Sequence, residues 1–443
     1  MTPDEAANFG NTAWLLTSAA LVLLMVPGLA FFYGGMVRSK SVLNMLMMSF
    51  GSMGLIGVLW VIYGYSMAFG NDIGGGVLGD PFEYIGLSGL MGGDALTGTG
   101  FVAFQAMFAI LTVALISGAI ADRARFGAWL LFAGLWATLV YFPVAHWVFA
   151  FDNEDAGVVG GWIANTLGAL DFAGGTAVHV NAGAAALALA LVLGKRKGWP
   201  KEPMKPHNLP FVMLGAGLLW FGWFGFNAGS ALGANELAGL AFINTLTATS
   251  AAMLGWLLLE RIRDGNATSL GAASGVVAGL VAITPACAFV DTWGALAIGF
   301  LAGVICALAV GLKYKLRYDD SLDVVGIHLV GGLFGTLMIG LVGTTNVNDG
   351  GADGLIYGGG FDVIANQAIA AVAVLVYSFV LAFIIGFAIN KTMGFRVSEE
   401  VEVSGIDEAE HAEVGYELGV SRGGRTGSVT TSAAGKKLEG SKA

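Results

Sequence analysis

Asp171-Phe-Ala-Gly-Gly-Thr-Ala-Val-His179-Val-Asn181-Ala-Gly183, running on apolar to Leu193 and Gly194, is long enough to cross a bilayer. It nevertheless opens on a carboxylate and carries a histidine eight residues in. At about 1.5 Å of helix rise per residue, that histidine lies roughly 12 Å below the helix start. An ionisable group at such depth is costly, and by default it marks a substrate or proton path. A histidine satisfied inside a packed bundle is the competing reading.

The surrounding chain supports a membrane setting. Its 443 residues are 56% hydrophobic and 12% charged, with a mean hydropathy of +0.75, where a soluble chain carries roughly 25% charge. Eleven apolar segments of about spanning length are expected, near 12–33, 42–68, 99–120, 127–149, 174–194, 209–229, 238–259, 269–287, 292–312, 323–343 and 363–390. The 69 glycines, spread through these runs, suit helix backbones in close approach. All 21 Lys and Arg fall after odd-numbered segments, and the opposite loops hold acidic residues such as Asp72, Asp80, Glu83, Asp94, Asp152 and Asp291. Basic loops favour the cytoplasm, which predicts an outer amino terminus and an inner carboxyl terminus. The flank Met1-Thr-Pro-Asp-Glu5 lacks the basic region of a removable signal. Two cysteines, Cys287 and Cys306, make no disulfide framework. The basic loop Lys195–Pro210 reads as an inner anchor for lipid headgroups rather than for nucleic acid.

The chain also repeats. Leu170-Asp171 leads to His179 in the fifth segment, and Leu322-Asp323 leads to His328 in the tenth. Five spans is an odd number, so two five-helix halves lie inverted across the membrane, with an eleventh helix added. That layout places substrate sites near the midplane, at the repeat interface. Asp171 and Asp323 also suit the starts of their helices, where a carboxylate accepts free backbone N–H groups; for Asp323 this structural role is the expected one. His146 and His207, near opposite faces, are read as structural. The tryptophans and phenylalanines of Trp220–Phe226 read as an interfacial belt or as a pore mouth.

Two histidines in an apolar conduit with aromatic rings at its mouth suit a small cation that can shed a proton. Ring faces attract cations, and the neutral conjugate crosses hydrocarbon at far lower cost than the ion. Imidazole nitrogens both donate and accept. Ammonium meets these demands.

At this point the chain resembles the ammonium transporters of the Amt/Mep/Rh family, nearest the Amt branch, from Trp14 to about Arg396. The markers are Pro27-Gly-Leu-Ala-Phe-Phe-Tyr-Gly-Gly35, Asp171-Phe-Ala-Gly-Gly175 with His179, and Lys205-Pro-His-Asn-Leu-Pro210. Gly222-Trp-Phe-Gly-Phe-Asn-Ala-Gly-Ser230 and Asp323-Val-Val-Gly-Ile-His328 complete them. The resemblance implies an all-α polytopic fold of eleven transmembrane helices around one pore per subunit, assembled as a homotrimer in the plasma membrane. It implies that His179 and His328 line the pore as a proton relay, and that Phe108 and Phe226 gate its outer end. Ser230 matches the hydroxyl of the outer recruitment site, and Asp171 the buried aspartate that supports it. Phe149 stands where a cation-binding tryptophan is usual, with Trp147 two residues away. Substrates would be ammonium or ammonia and methylammonium, with no cofactor and no metal.

Residues 1–393 are expected to form the transmembrane domain and 394–443 a cytoplasmic tail. The resemblance implies that the tail, as far as Tyr416, is a regulatory segment on the face where PII-type signalling proteins dock. Beyond Gly419 the composition is that of a disordered chain. Other readings compete with this one. A proton-coupled carrier of another small amine is one; a carrier of a larger solute would want a roomy polar midplane cavity, and an ammonium sensor wants a signalling domain. An intramembrane metallohydrolase wants a His-Glu-x-x-His helix, which the chain lacks.

Overall fold

The computed structural model describes residues 3–92, 98–202 and 204–416; the expectations for Asp94 and for 420–443 lie outside them. Among the described residues the elements are helical, with three isolated bridges and no strand. In chain order the apolar helices are α1 (Pro3–Met36), α2 (Ser39–Phe69), α3 (Thr99–Ile120), α4 (Phe126–Phe149), α5 (Gly175–Leu193) and α6 (Leu209–Gly229). There follow α7 (Glu236–Arg263), α8 (Ser269–Ile283), α9 (Thr292–Leu316), α10 (Val325–Val342) and α11 (Asp362–Thr392). Ten of these are long and apolar enough to cross a membrane; α8, at 15 residues, is shorter. The expected segment 269–287 therefore stops early, and Thr284–Phe289 continues as turns. Pro285 explains the stop, because it disfavours helix at the residue before it and has no N–H to donate.

Helix starts follow local chemistry. Asn208, Asn235, Thr268 and Asp291 each accept the N–H three residues on, at 3.0, 3.0, 2.8 and 2.8 Å, which satisfies donors the helix leaves free. α1 runs as one continuous helix that includes Pro27. Within the spans, four turns widen to the i+5 pattern: Trp60–Gly64, Ala137–Tyr141, Gly175–Val180 and Val325–Leu329. The last two contain His179 and His328.

Glycines set the packing distances. A methyl at Gly299 or Gly303 of α9 would lie 2.1 Å from the carbonyl oxygens of Ala248 and Ala252 on α7. At Gly335 of α10 it would lie 2.0 Å from Ala282 O on α8. These backbones touch, as small-residue spacing allows in lipid. α5 and α10 meet in the same way: a methyl at Gly175 would sit 2.8 Å from Thr336 Oγ1, and one at Gly183 2.5 Å from Leu329 N. Numbers rise along one helix as they fall along the other, so the two cross antiparallel.

Two short helices, α12 (Glu399–Ser404) and α13 (Ile406–His411), fold back under the basic ends of the spans. Asp407 accepts the Leu43 and Asn44 N–H groups at 3.0 and 2.8 Å, and Glu410 accepts that of Phe126 at 3.0 Å. Tail carboxylates thus cap the starts of α2 and α4. Glu402 takes the Lys197 N–H at 2.6 Å and pairs with Arg396 at 2.6 Å.

Candidate functional site

The acidic loops enclose a cavity of about 600 Å³. Loop 70–79 is wrapped around Asp72, whose carboxylate accepts the Gly74 and Leu78 N–H groups at 3.0 and 3.3 Å. Burial raises the Asp72 pKa, but these and neighbouring amides outweigh it and hold the carboxyl below its ordinary value. His146 is fully buried behind this loop, 3.1 Å from Ala68 O through Nδ1 and 3.3 Å from Asp72 through Nε2. His207, at the basic face, spans Val37 O and Tyr416 Oη at 2.8 Å each. Both sit in packing contacts away from the cavity lining.

The cavity wall includes Phe108, Phe149, Asp171 and Ser230. Below it, the Phe108 and Phe226 rings lie 4.2 Å apart at 30°, both buried. His179 follows, 6.1 Å from Phe226 and 5.4 Å from Trp223, nearly parallel to each ring. His328 completes the file, its Nδ1 3.3 Å from His179 Nδ1. The rings are held by α3, α6, α5 and α10, so four helices converge on this line. Ser230 Oγ donates to Phe226 O at 2.9 Å, a bond within its own helix end. The structure brings seven of the expected residues together: Phe108, Phe149, Asp171, Phe226 and Ser230, with His179 and His328 reached through the rings.

Phe149 faces the cavity, 6.4 Å from Phe108. Trp147 does not. Its indole N–H donates to Val77 O at 2.7 Å and its ring packs 4.7 Å from Tyr377.

Asp171 does open α5. Its carboxylate accepts the N–H groups of Gly174, Gly175 and Thr176 at 2.8, 2.6 and 2.8 Å, and the Thr176 hydroxyl as well. Burial still pushes its carboxyl above the ordinary range despite those donors. Asp323 differs from the expectation. Its backbone is left-handed (φ +64°) and its carboxylate meets Lys313 Nζ at 2.6 Å. Asp320, three residues earlier, takes the Val325 N–H at 2.7 Å and serves the start of α10. Left-handed geometry at Asp323 turns its side chain away from the first helical turn and toward the basic end of α9.

Sequence reading missed polar residues that tie the connecting segments together. Arg196 grips Asp319 through Nε and Nη2 at 3.0 and 2.9 Å. Burial works against the Asp319 charge, but this pairing holds the carboxyl below its usual value. The basic loop from Lys195 was legible in the sequence, but its pairing with Asp319 was not. Gln367 was also missed. Among the described residues, no group of His, Cys, Asp or Glu gathers as a metal site would require.

Comparison with known proteins agrees with this architecture. Residues 13–416 match the model of the Ammonium Transporter Family. An ammonium transporter of Mycobacterium tuberculosis is 63% identical over 438 residues, covering 94% of this chain and 91% of that one. Ammonium transporter Amt1 of Archaeoglobus fulgidus is 48% identical, covering 76% and 82%. Among solved structures, Saccharomyces cerevisiae Mep2 superposes with a TM-score of 0.80 at 36% identity, covering 88% of each chain. A Sensor Amt Protein superposes at 0.83 with 26% identity, covering 92% of this chain and all of that one. With its helices, its paired histidines and more than nine-tenths of its length accounted for, the chain belongs to the Ammonium Transporter Family.

Proposed function

We propose that this multi-pass membrane protein moves ammonium across the plasma membrane, recruiting the cation in the acidic-side cavity and passing ammonia along the buried ring file. The observation that carries the reading is the unbroken sequence of cavity, Phe108–Phe226 pair and His179–His328 pair. Phe108, Phe149 and Ser230 would meet the cation, with ring faces replacing part of its water. Asp171, fully engaged by α5 donors, supports the cavity wall rather than ligating the cation directly. The Phe108 and Phe226 rings leave no hydrogen-bond acceptors for an ion, so a proton must be given up before the nitrogen passes. The histidine pair offers both donor and acceptor nitrogens and can hold that proton. Methylammonium would serve as an analogue.

Assembly as a homotrimer and docking of a PII-type protein at the basic face follow the family resemblance, and the folded-back tail offers a surface for the latter. A sensor role is less well supported, since 63% identity ties the chain to a transporter and 26% to the sensor protein.

Proteoliposomes given an inward ammonium step test the reading. Uptake is expected in the parent, and His179→Ala or His328→Ala should lower it or alter its current while the folded protein persists. Parent-like uptake and current in both variants would remove the relay role.

A further inference from the structure

Gln367, in the second turn of α11, is 1% exposed. Its Oε1 accepts the Leu170 N–H at 2.7 Å, and its Nε2 donates to Leu170 O at 2.6 Å and to Thr336 O at 3.2 Å. One carboxamide thereby satisfies both backbone groups of a single loop residue, as a neighbouring strand would, and spends its remaining donor on α10. Leu170 immediately precedes Asp171, and Gly168–Phe172 forms one wall of the cavity. Thr336 lies on the helix of His328. The same loop has two further backbone tethers nearby, Ala169 N–H to Ile163 O and Phe172 N–H to Pro285 O, both at 3.1 Å. Among the described residues, Gln367 is the side chain that fixes the peptide joining Leu170 to Asp171 from a separate membrane helix.

A buried amide of this kind costs free energy unless all its partners are in place, so it holds geometry rather than merely filling space. We propose that Gln367 is a positioning residue for cation recruitment: by pinning Leu170 it sets where the Asp171 wall stands relative to Phe108, Phe149 and Ser230. The inference rests on the transport reading above. It locates control of apparent affinity in a residue that never touches the substrate.

Two variants test it. Gln367→Leu keeps the volume and removes three hydrogen bonds. The half-saturating methylammonium concentration should rise at least about fivefold, the size of one lost hydrogen bond, with maximal flux per folded protein nearly unchanged. Gln367→Glu can still accept from Leu170 N–H, but as a carboxylate it faces two carbonyl oxygens. Protonated, it regains a donor. Its half-saturating concentration, taken as a ratio to the parent at each pH, should therefore fall toward one on acidification.

Equal loss of flux in both variants with unchanged half-saturation would overturn the proposal, as would a pH-independent ratio for Gln367→Glu. Hydrogen exchange separates this from failure of the transport reading. In Gln367→Leu the amides of 168–172 should exchange faster while those of 183–190 stay as in the parent; unchanged exchange at 168–172 refutes the positioning role even if no uptake is seen. A parent without uptake but with the altered exchange would refute transport alone.

Discussion

On the proposed reading, Phe149 offers a cation in the cavity a weaker surface than an indole would. Tryptophan is the best cation–π partner, and an exposed contact is worth about 0.5–1 kcal/mol. Since Trp147 is tied to Val77 and Tyr377, it does not substitute. Phe149→Trp should lower the half-saturating methylammonium concentration by roughly two- to fivefold. Uptake at high ionic strength checks this, because salt screens the acidic loops and leaves a ring contact intact; unchanged affinity there would take Phe149 out of the recruitment site. Asp171→Ala should cost about 0.5–2 kcal/mol of stability by stripping the α5 start, read as a lower melting temperature in detergent. Asp320 gives a pH test. Burial, then the neighbouring Asp323 charge, lifts its carboxyl from 3.8 to about 6. Its protonated form is thus favoured in the fold, and the associated stability is complete below 3.8 and lost as pH rises through 6. Asp320→Asn, which stays neutral and can still accept the Val325 N–H, should out-melt the parent above pH 6 and lose that advantage near pH 4. The two aspartates also mark how far sequence reaches. Asp171 was identifiable as a helix opener because it is the lone carboxylate ahead of its apolar run, where free backbone N–H groups need an acceptor. In Asp319-Asp320-Ser-Leu-Asp323 three carboxylates compete, and only backbone conformation decides which one faces the helix.

Among the elements, the spans were the most legible, since unbroken apolar runs bounded by charge leave little freedom. The wide turns around His179 and His328 were not. One extra residue in a turn changes no hydropathy, and inside a uniformly apolar run there is no phase to betray it. Gln367 escaped for a related reason: a lone glutamine near a helix entrance looks like an interfacial residue until its partners are seen. Glycine content was visible, but the particular contacts required coordinates. Gly303→Val should destabilise the α7–α9 pair by at least about 1–3 kcal/mol through overpacking, whereas Gly239→Ala, with open space around it, should be close to neutral. Thermal unfolding of the two variants side by side makes the comparison; equal melting would contradict the backbone contact.

The whole molecule combines a membrane bundle with a tail that caps the bundle's own helices. Basic residues pointed to the face on which the tail lies, but nothing in its acidic composition told that Asp407 and Glu410 would occupy the starts of α2 and α4. Removing 397–443 strips those caps and should lower transport or its regulation, while removing 420–443 should leave both as in the parent; uptake by the two truncations decides, and equal behaviour would remove the regulatory role. The orientation is tested separately. A cysteine at Asp80 should react with an impermeant reagent from outside and one at Lys201 should not, with reversed labelling sinking the inverted-repeat layout.

The 3.3 Å between His179 Nδ1 and His328 Nδ1 leaves room for a single hydrogen. Whichever ring holds it, the other must carry its hydrogen on Nε2, so the neutral pair has a head that accepts and a tail that donates. Among the described residues His179 Nε2 is buried without a hydrogen-bond partner, free to be either end. A proton handed along the pair, on the proposed reading, leaves it pointing backwards. The next passage in the same direction waits until both rings are rewound, as a turnstile waits to be reset. Exchange into heavy water should then slow maximal flux more than it shifts half-saturation, and uptake in the two solvents would show whether rewinding governs the throughput.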